Sequence, residues 1–302
     1  MDFSALVGCV STPACLVTQT MAGLISGTLL FLVASGLTLI FGVLGFVNFM
    51  HGSFYMLGGY FGYTAFRLTG NYAVGVLAGA ICAGLCGLLI ERTVVKRIYN
   101  ADPLAQILVC YAFILIFDDL VRLIWGSDFL SMGMPETFRV PPFFIAGGVV
   151  PPFYLLLIGV TIAVATCLLL SLNKTRIGSV IRAAAHNRSM VSALGINTKV
   201  IFMLVFFLGA LLAGAAGALA APVRSISAGM GFAILIDSFI VTVIGGMGSV
   251  AGALLVATGL GLLRAFGSLG FPLFTDGIVF MAMALVLILK PQGLLGREMR
   301  SI

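Results

Sequence analysis

Apolar runs long enough to cross a bilayer recur along this chain, and short polar connections separate them. The first run occupies 17–42, and a polar GFVNFMHGS at 45–53 divides it from a second at 53–66. Further runs follow at 72–90, 104–125, 153–172 and 201–221. The stretch 232–266 is about 35 residues, too long for one span of roughly 20. Its glycine cluster VIGGMGSVAGA, at 243–253, breaks it in two, and a last run ends at Leu289. The pattern predicts an all-α polytopic membrane protein of eight or nine transmembrane segments, one domain over residues 1–302. Broken or re-entrant helices are expected near 45–53 and 245–249.

The longest polar passage, NKTRIGSVIRAAAHNRSMVSALGINTKV at 173–200, lies between two such runs and must sit at a membrane face. It carries Lys174, Arg176, Arg182, Arg188 and Lys199 with no acid, which marks the face as cytoplasmic on the positive-inside bias. Its interior is patterned as well as basic. Ile181, Ala184 and Ala185 recur at helical spacing, and Asn187 can cap a new turn at Arg188, Ser189 and Met190. Val191 and Leu194 then make a small apolar face that stops at Gly195. A short amphipathic helix that docks onto something in the cytoplasm accounts for this pattern.

Other connections fit the same orientation. Glu91, Arg92, Lys96, Arg97 and Asp102 follow the third run, and Asn100-Ala101-Asp102-Pro103 reads as a helix start. The loop 126–152, rich in Pro, Gly and Phe, is nearly balanced in charge and should face outward, beyond the interfacial Trp125. With 91–103, 173–199 and the tail of Lys290, Arg297 and Arg300 inside, eleven of the 16 lysines and arginines are cytoplasmic. Nine crossings with the N-terminus outside satisfy this, and eight do so if one break is a re-entrant half-helix. No Lys or Arg precedes Arg67, so a cleavable signal peptide is not expected and the first span should be retained.

Composition changes little in this picture. Hydrophobic residues make up 61% of the 302 residues, charged ones 9%, and the mean hydropathy is +1.20, which excludes a water-soluble surface. The net charge of +6 lies in the connections, with no basic face interleaved with aromatics. It therefore points to topology and anionic lipid, with no nucleic-acid partner expected.

Catalytic and metal chemistry find no support. There is no GxxxxGK[ST] phosphate loop, so the chain is expected to carry no ATP site of its own and no cofactor. His51 and His186 are the two histidines, far apart and without metal-ligand spacing. Cys82, Cys86, Cys110 and Cys167 read as packing residues, whereas Cys9 and Cys15 could pair in an oxidising exterior. No Ser/His/Asp grouping or carboxylate pair lies at one membrane depth, so an enzyme is not expected.

Three segments resemble the branched-chain amino acid permease family of ATP-binding-cassette importers, the LivH type. They are GVLGFVNFMHGSFYMLGGY at 42–60, RAAAHNRSMVSALGIN at 182–197, and VIGGMGSVAGALLVATGLGLL at 243–263 followed by KPQGLLGR at 290–297. The docking loop departs from the general importer consensus, with Ala183 where that consensus has Glu and its Gly displaced to Gly195. The resemblance implies a permease subunit of the plasma (inner) membrane, passing branched-chain amino acids or a related solute into the cytoplasm. Its implied partners are a sister permease (LivM type) or a second copy, two cytoplasmic ATPase subunits, and an extracytoplasmic solute-binding protein. Arg182, Ala185, Asn187, Val191, Leu194 and Gly195 would then form the ATPase-coupling surface. A stand-alone channel or secondary carrier is the alternative, which the patterned loop disfavours.

The pathway candidates come from the two breaks. Asn48, His51 and Ser53 would line one, and Gly245, Gly246, Gly248 and Ser249 the other, because irregular backbone within a bilayer faces protein or a polar cavity. A short turn and a tight helix crossing would account for the same residues. Asp237 stands in an apolar run, where an acid is costly unless paired or wet, so it marks a gate or cavity or else the outer interface. Asp118, Asp119 and Arg122 read as a local pair at the membrane edge.

Overall fold

A computed structural model describes residues 3–99 and 101–296; Asn100, Arg297 and Arg300, assigned above to a helix start and a basic tail, lie outside them. Helix α1 (Phe3–Ser11) is tied by a Cys9–Cys15 disulfide to α2 (Pro13–Leu44), which begins on a proline whose missing N–H would have had no helical partner. Helix α3 (His51–Thr69) and α4 (Tyr72–Ile90) follow, and a π turn at Glu91–Val95 leads into the short α5 (Lys96–Ile98). The Asp-Pro start holds: Leu104 N donates to Asp102 Oδ1 at 2.9 Å and opens α6 (Pro103–Trp125). Then come α7 (Pro152–Lys174), α8 (Arg176–His186), α9 (Arg188–Ala193), α10 (Thr198–Ala220), α11 (Met230–Gly245), α12 (Val250–Gly270) and α13 (Thr275–Leu289). Among the described residues five helices are long and apolar enough to cross a membrane, counting α4 to α5 as one.

The outer connection corrects the all-α expectation. Strands β1 (Phe143–Ile145) and β2 (Gly148–Val150) pair antiparallel around Ala146 and Gly147, both at positive φ (50° and 81°). A two-residue turn of that hand matches strand twist, and the strands are too short to show alternation in sequence. The hairpin leans on the start of α2, where Val149 N donates to Thr18 Oγ1 at 3.1 Å.

Helix α2 is the axis of the molecule. Every residue from Thr28 to Ile40 is buried, as in a helix enclosed on all sides. Helix α12 runs antiparallel along it, with Gly23 against Leu262, Gly27 against Ala257 and Gly42 against Gly248. Helices α10, α11 and α7 cover its other sides. A second packing unit joins α3, α4 and α10 through small residues, so that Gly58 and Gly214 bring two backbones into contact. Leu108 and Leu123 of α6 and Leu285 and Ile288 of α13 remain exposed, an apolar periphery suited to lipid or another membrane subunit.

Chain ends of the helices gather at two poles. At one lie the end of α2, the segment 91–99, helices α8 and α9, the turn between α11 and α12, and the segment after α13. Leu294 N and Leu295 N donate to Ile244 O and Gly245 O there, at 2.7 and 3.1 Å. This basic pole holds Arg92, Lys96, Arg97, Lys174, Arg176, Arg182, Arg188, Lys199 and Lys290. At the other, Leu130 pairs with Ile226 as an isolated bridge that joins the loop 126–152 to the loop before α11.

Candidate functional site

At the basic pole, three side chains cut the polar passage into its helices. Thr175 Oγ1 accepts from Gly178 N at 3.0 Å, Asn187 Oδ1 from Met190 N at 2.9 Å, and Asn197 Oδ1 from Lys199 N at 3.1 Å. The new turn expected at Asn187 is therefore present, and α9 ends just before Gly195 at φ 81°. The expected common face of Ala185, Val191 and Leu194 is divided, however. Asn187 is extended, so α8 and α9 are separate helices and the spacing does not carry across it. Val191 packs inward with Ile181 and Ala184, whereas Ala185 and Leu194 stay outside with Ile177 and Met190.

One charge adds to the apolar contacts that hold α9 on the bundle. Arg188 lies 4.6 Å from the centre of the Phe202 ring and 5.8 Å from that of Tyr99. The Tyr99 hydroxyl donates to the buried Glu91 at 2.7 Å. Burial, followed by that bond, holds the Tyr99 phenol far above its ordinary value, so it remains a donor. Arg182 is half-buried and donates through Nη2 to Ser179 Oγ at 3.4 Å.

The break after α2 returns into the bundle. Gly45 turns the chain, and α3 starts at His51, whose Nε2 lies 3.1 Å from Val33 O, about three turns inside the end of α2. Phe49 stacks on Phe239 of α11 with centroids 6.1 Å apart, and Gly52 meets Gly231. Asn48 and His51 are fully buried and Ser53 nearly so; among the described residues neither amide atom of Asn48 has a protein partner, nor has His51 Nδ1.

The other break is a tight turn at the basic pole. Gly248 N donates to Thr38 Oγ1 at 2.9 Å, and Ser249 Oγ caps α12 by accepting from Gly252 N at 3.0 Å. Gly245 and Gly246 are buried beneath Leu295 and Gly296, while Gly248 is exposed. The two breaks touch α2 on different sides, His51 at Val33 and Gly36 and Gly248 at Thr38 and Gly42, more than about 100° around the helix.

Asp237 is paired. Arg264 of α12 donates to its two oxygens at 2.5 and 2.7 Å and to Asp276 at 3.1 Å, clasping α11, α12 and the start of α13. At the edge of α6, Arg122 bonds Asp119 at 3.4 Å. Sequence reading passed over Arg264, although a lone arginine in an apolar run carries the signal that singled out Asp237. It also missed Glu91, Tyr99 and Phe202, whose partnership exists only once α4 and α10 are packed together.

Comparison with known proteins places this geometry. Residues 19–289 match the family model described as branched-chain amino acid transport system, permease component. The chain is 30% identical over 292 residues to the high-affinity branched-chain amino acid transport system permease protein BraD of Pseudomonas aeruginosa, covering 92% of this chain and 95% of that one. It is 29% identical over 296 residues to LivH of Salmonella typhimurium, with the same coverage. Among solved structures it resembles PsaBC from Streptococcus pneumoniae in complex with Fab, at a TM-score of 0.52 and 13% identity, over 96% of this chain and 95% of that one. That likeness is one of fold.

Proposed function

The chain belongs to the branched-chain amino acid transport permease family, and from that membership we propose that it is the membrane-spanning half of an ATP-driven importer of branched-chain amino acids. The basic pole is cytoplasmic and the hairpin pole outward, by the positive-inside bias. Nine helices then cross the membrane: α2, α3, α4, α6, α7, α10, α11, α12 and α13, with α3 starting part-way through it. A second permease completes the pathway, two cytoplasmic ATPase subunits drive it, and an extracytoplasmic binding protein delivers the solute.

One observation carries this reading: α8 and α9 are rooted in the bundle by Ile181, Ala184 and Val191 while presenting Ile177, Met190 and Leu194 to the basic pole. A channel has no use for such a rooted apolar projection, whereas a groove on an ATPase would bury it at about 25 cal/mol per Å². The Met190→Asp, Leu194→Asp double variant leaves the rooted residues in place. It should insert normally, lose ATP-driven uptake in proteoliposomes and fail to retain the ATPase on purification. Full uptake by this variant would defeat the reading, as would saturable concentrative uptake by the chain without ATPases, which would make it a secondary carrier.

A further inference from the structure

A cavity of about 40 Å³ opens between α2, α11 and α12, bordered by Ser26, Arg224, Asp237 and Arg264 and by the apolar Leu29, Leu30 and Ile234. Four charges meet beside it. Asp237 is clasped by Arg264, which also holds Asp276, and Arg224 lies against the Tyr55 hydroxyl in the second turn of α3. The Nε of Arg264 is buried with no partner among the described residues. The side chains of Asp237 and Arg264 are 19% and 29% exposed, so the pair is neither sealed in the core nor free in solvent. Arg224 lies in the loop before α11 and the exposed Asp276 in the first turn of α13, so the cavity sits toward the hairpin pole, where the open side of the pair faces a polar space.

We propose that this cavity is the subsite for the charged head of the transported α-amino acid, an inference that rests on the substrate class given above. The solute carries one ammonium and one carboxylate, both of which lose water on entering the membrane. Asp237 accepts from the ammonium, and Arg264, whose planar fork fits a carboxylate, turns from Asp237 to the solute while keeping Asp276. Arg224 supplies a second donor at the mouth. One ion pair is exchanged for two and no proton moves, so the local charge balance is the same before and after. By the space a water needs, the cavity holds roughly two or three waters. That is comparable to the polar head of an amino acid and too small for its side chain, which would lie outside the cavity.

The competing explanation is a structural clasp between α11 and α12, and the experiment separates the two. In the reconstituted complex of permeases, ATPases and binding protein, Asp237→Asn and Arg264→Lys should each lower ATP-driven leucine uptake at least tenfold. The Asp237→Leu, Arg264→Met double variant removes both charges without leaving one buried and unpaired. It should match the native complex in thermal stability and basal ATPase activity yet carry no leucine. Native uptake by this double variant overturns the proposal. A direct readout uses Ser26→Cys in a background without the native cysteines. Leucine should slow its modification by a small neutral thiol reagent more than 4-methylpentanoate or isopentylamine does. Absence of leucine protection in every nucleotide state also overturns the proposal. If the native complex moves no branched-chain amino acid, the earlier reading fails, and the protection measurement still decides whether a zwitterion occupies the site.

Discussion

Arg188, the first residue of α9, sits 4.6 Å from the ring centre of Phe202, in the second turn of α10, and thereby fixes the docking helices to a helix that contacts the core of the bundle. Force applied to α9 reaches α10 through this contact and α4 through Tyr99 and Glu91. Arg188→Ala should cost only about 1 kcal/mol of stability, the usual worth of an exposed cation–π contact. Its effect on coupling should be larger: several-fold fewer leucine molecules transported per ATP hydrolysed. An unchanged ratio in proteoliposomes would show that α9 acts without this contact.

The contact of α4 with α10 yields a folding prediction. A methyl on Gly214 would come within 2.4 Å of the Ala83 Cβ and 2.8 Å of Gly79 O, both on α4. Backbone cannot yield as a side-chain tip can, so Gly214→Val should destabilise by about 3 kcal/mol, the upper end for overpacking. A markedly lowered melting temperature of detergent-solubilised protein is the measurement, and unchanged melting would mean that α4 and α10 separate at little cost.

How much of this was legible beforehand follows from the range of each signal. The helix cap at Asn187 and the stop at Gly195 are encoded within a few residues, and both were read. So was the division of 232–266, where Gly246 and Ser249 end one helix and cap the next. The inward turn of Val191 was not, because it depends on a change of helix axis at Asn187 that fixed spacing cannot express. A broken or re-entrant stretch near 45–53 was expected from its polarity, but its depth beside α2 was not, because that is set by His51 reaching Val33, eighteen residues earlier in sequence. Asp237 was singled out without Arg264 because 27 residues and a turn lie between them.

The segment after α13 should prove to be part of the turn between α11 and α12. Gly246 adopts φ 96°, and a side chain there would strike Gly296 as well as strain the backbone. Gly246→Ala should release this segment, losing the bonds from Leu294 and Leu295, and speed proteolysis within 292–296 by about thirtyfold, since the two lost bonds are each worth on the order of 1 kcal/mol. Equal cleavage rates in native and variant protein would show that the segment is held elsewhere.

Asn48 offers a test that sets stability against transport. Its side chain is fully buried and neither amide atom has a protein partner among the described residues, an arrangement that costs roughly 1–3 kcal/mol. A purely structural position would favour leucine, which fills similar space without the unmet polar groups. Asn48→Leu should therefore raise the melting temperature of the solubilised protein. If the segment re-entering beside α2 serves the solute path when the bundle opens, the same variant should lose most of its leucine uptake while retaining ATPase binding. A more stable permease with full uptake would make Asn48 a packing residue. A less stable one would mean that ordered water or a moving partner already satisfies the amide, and deuterium exchange across 45–53 would show which.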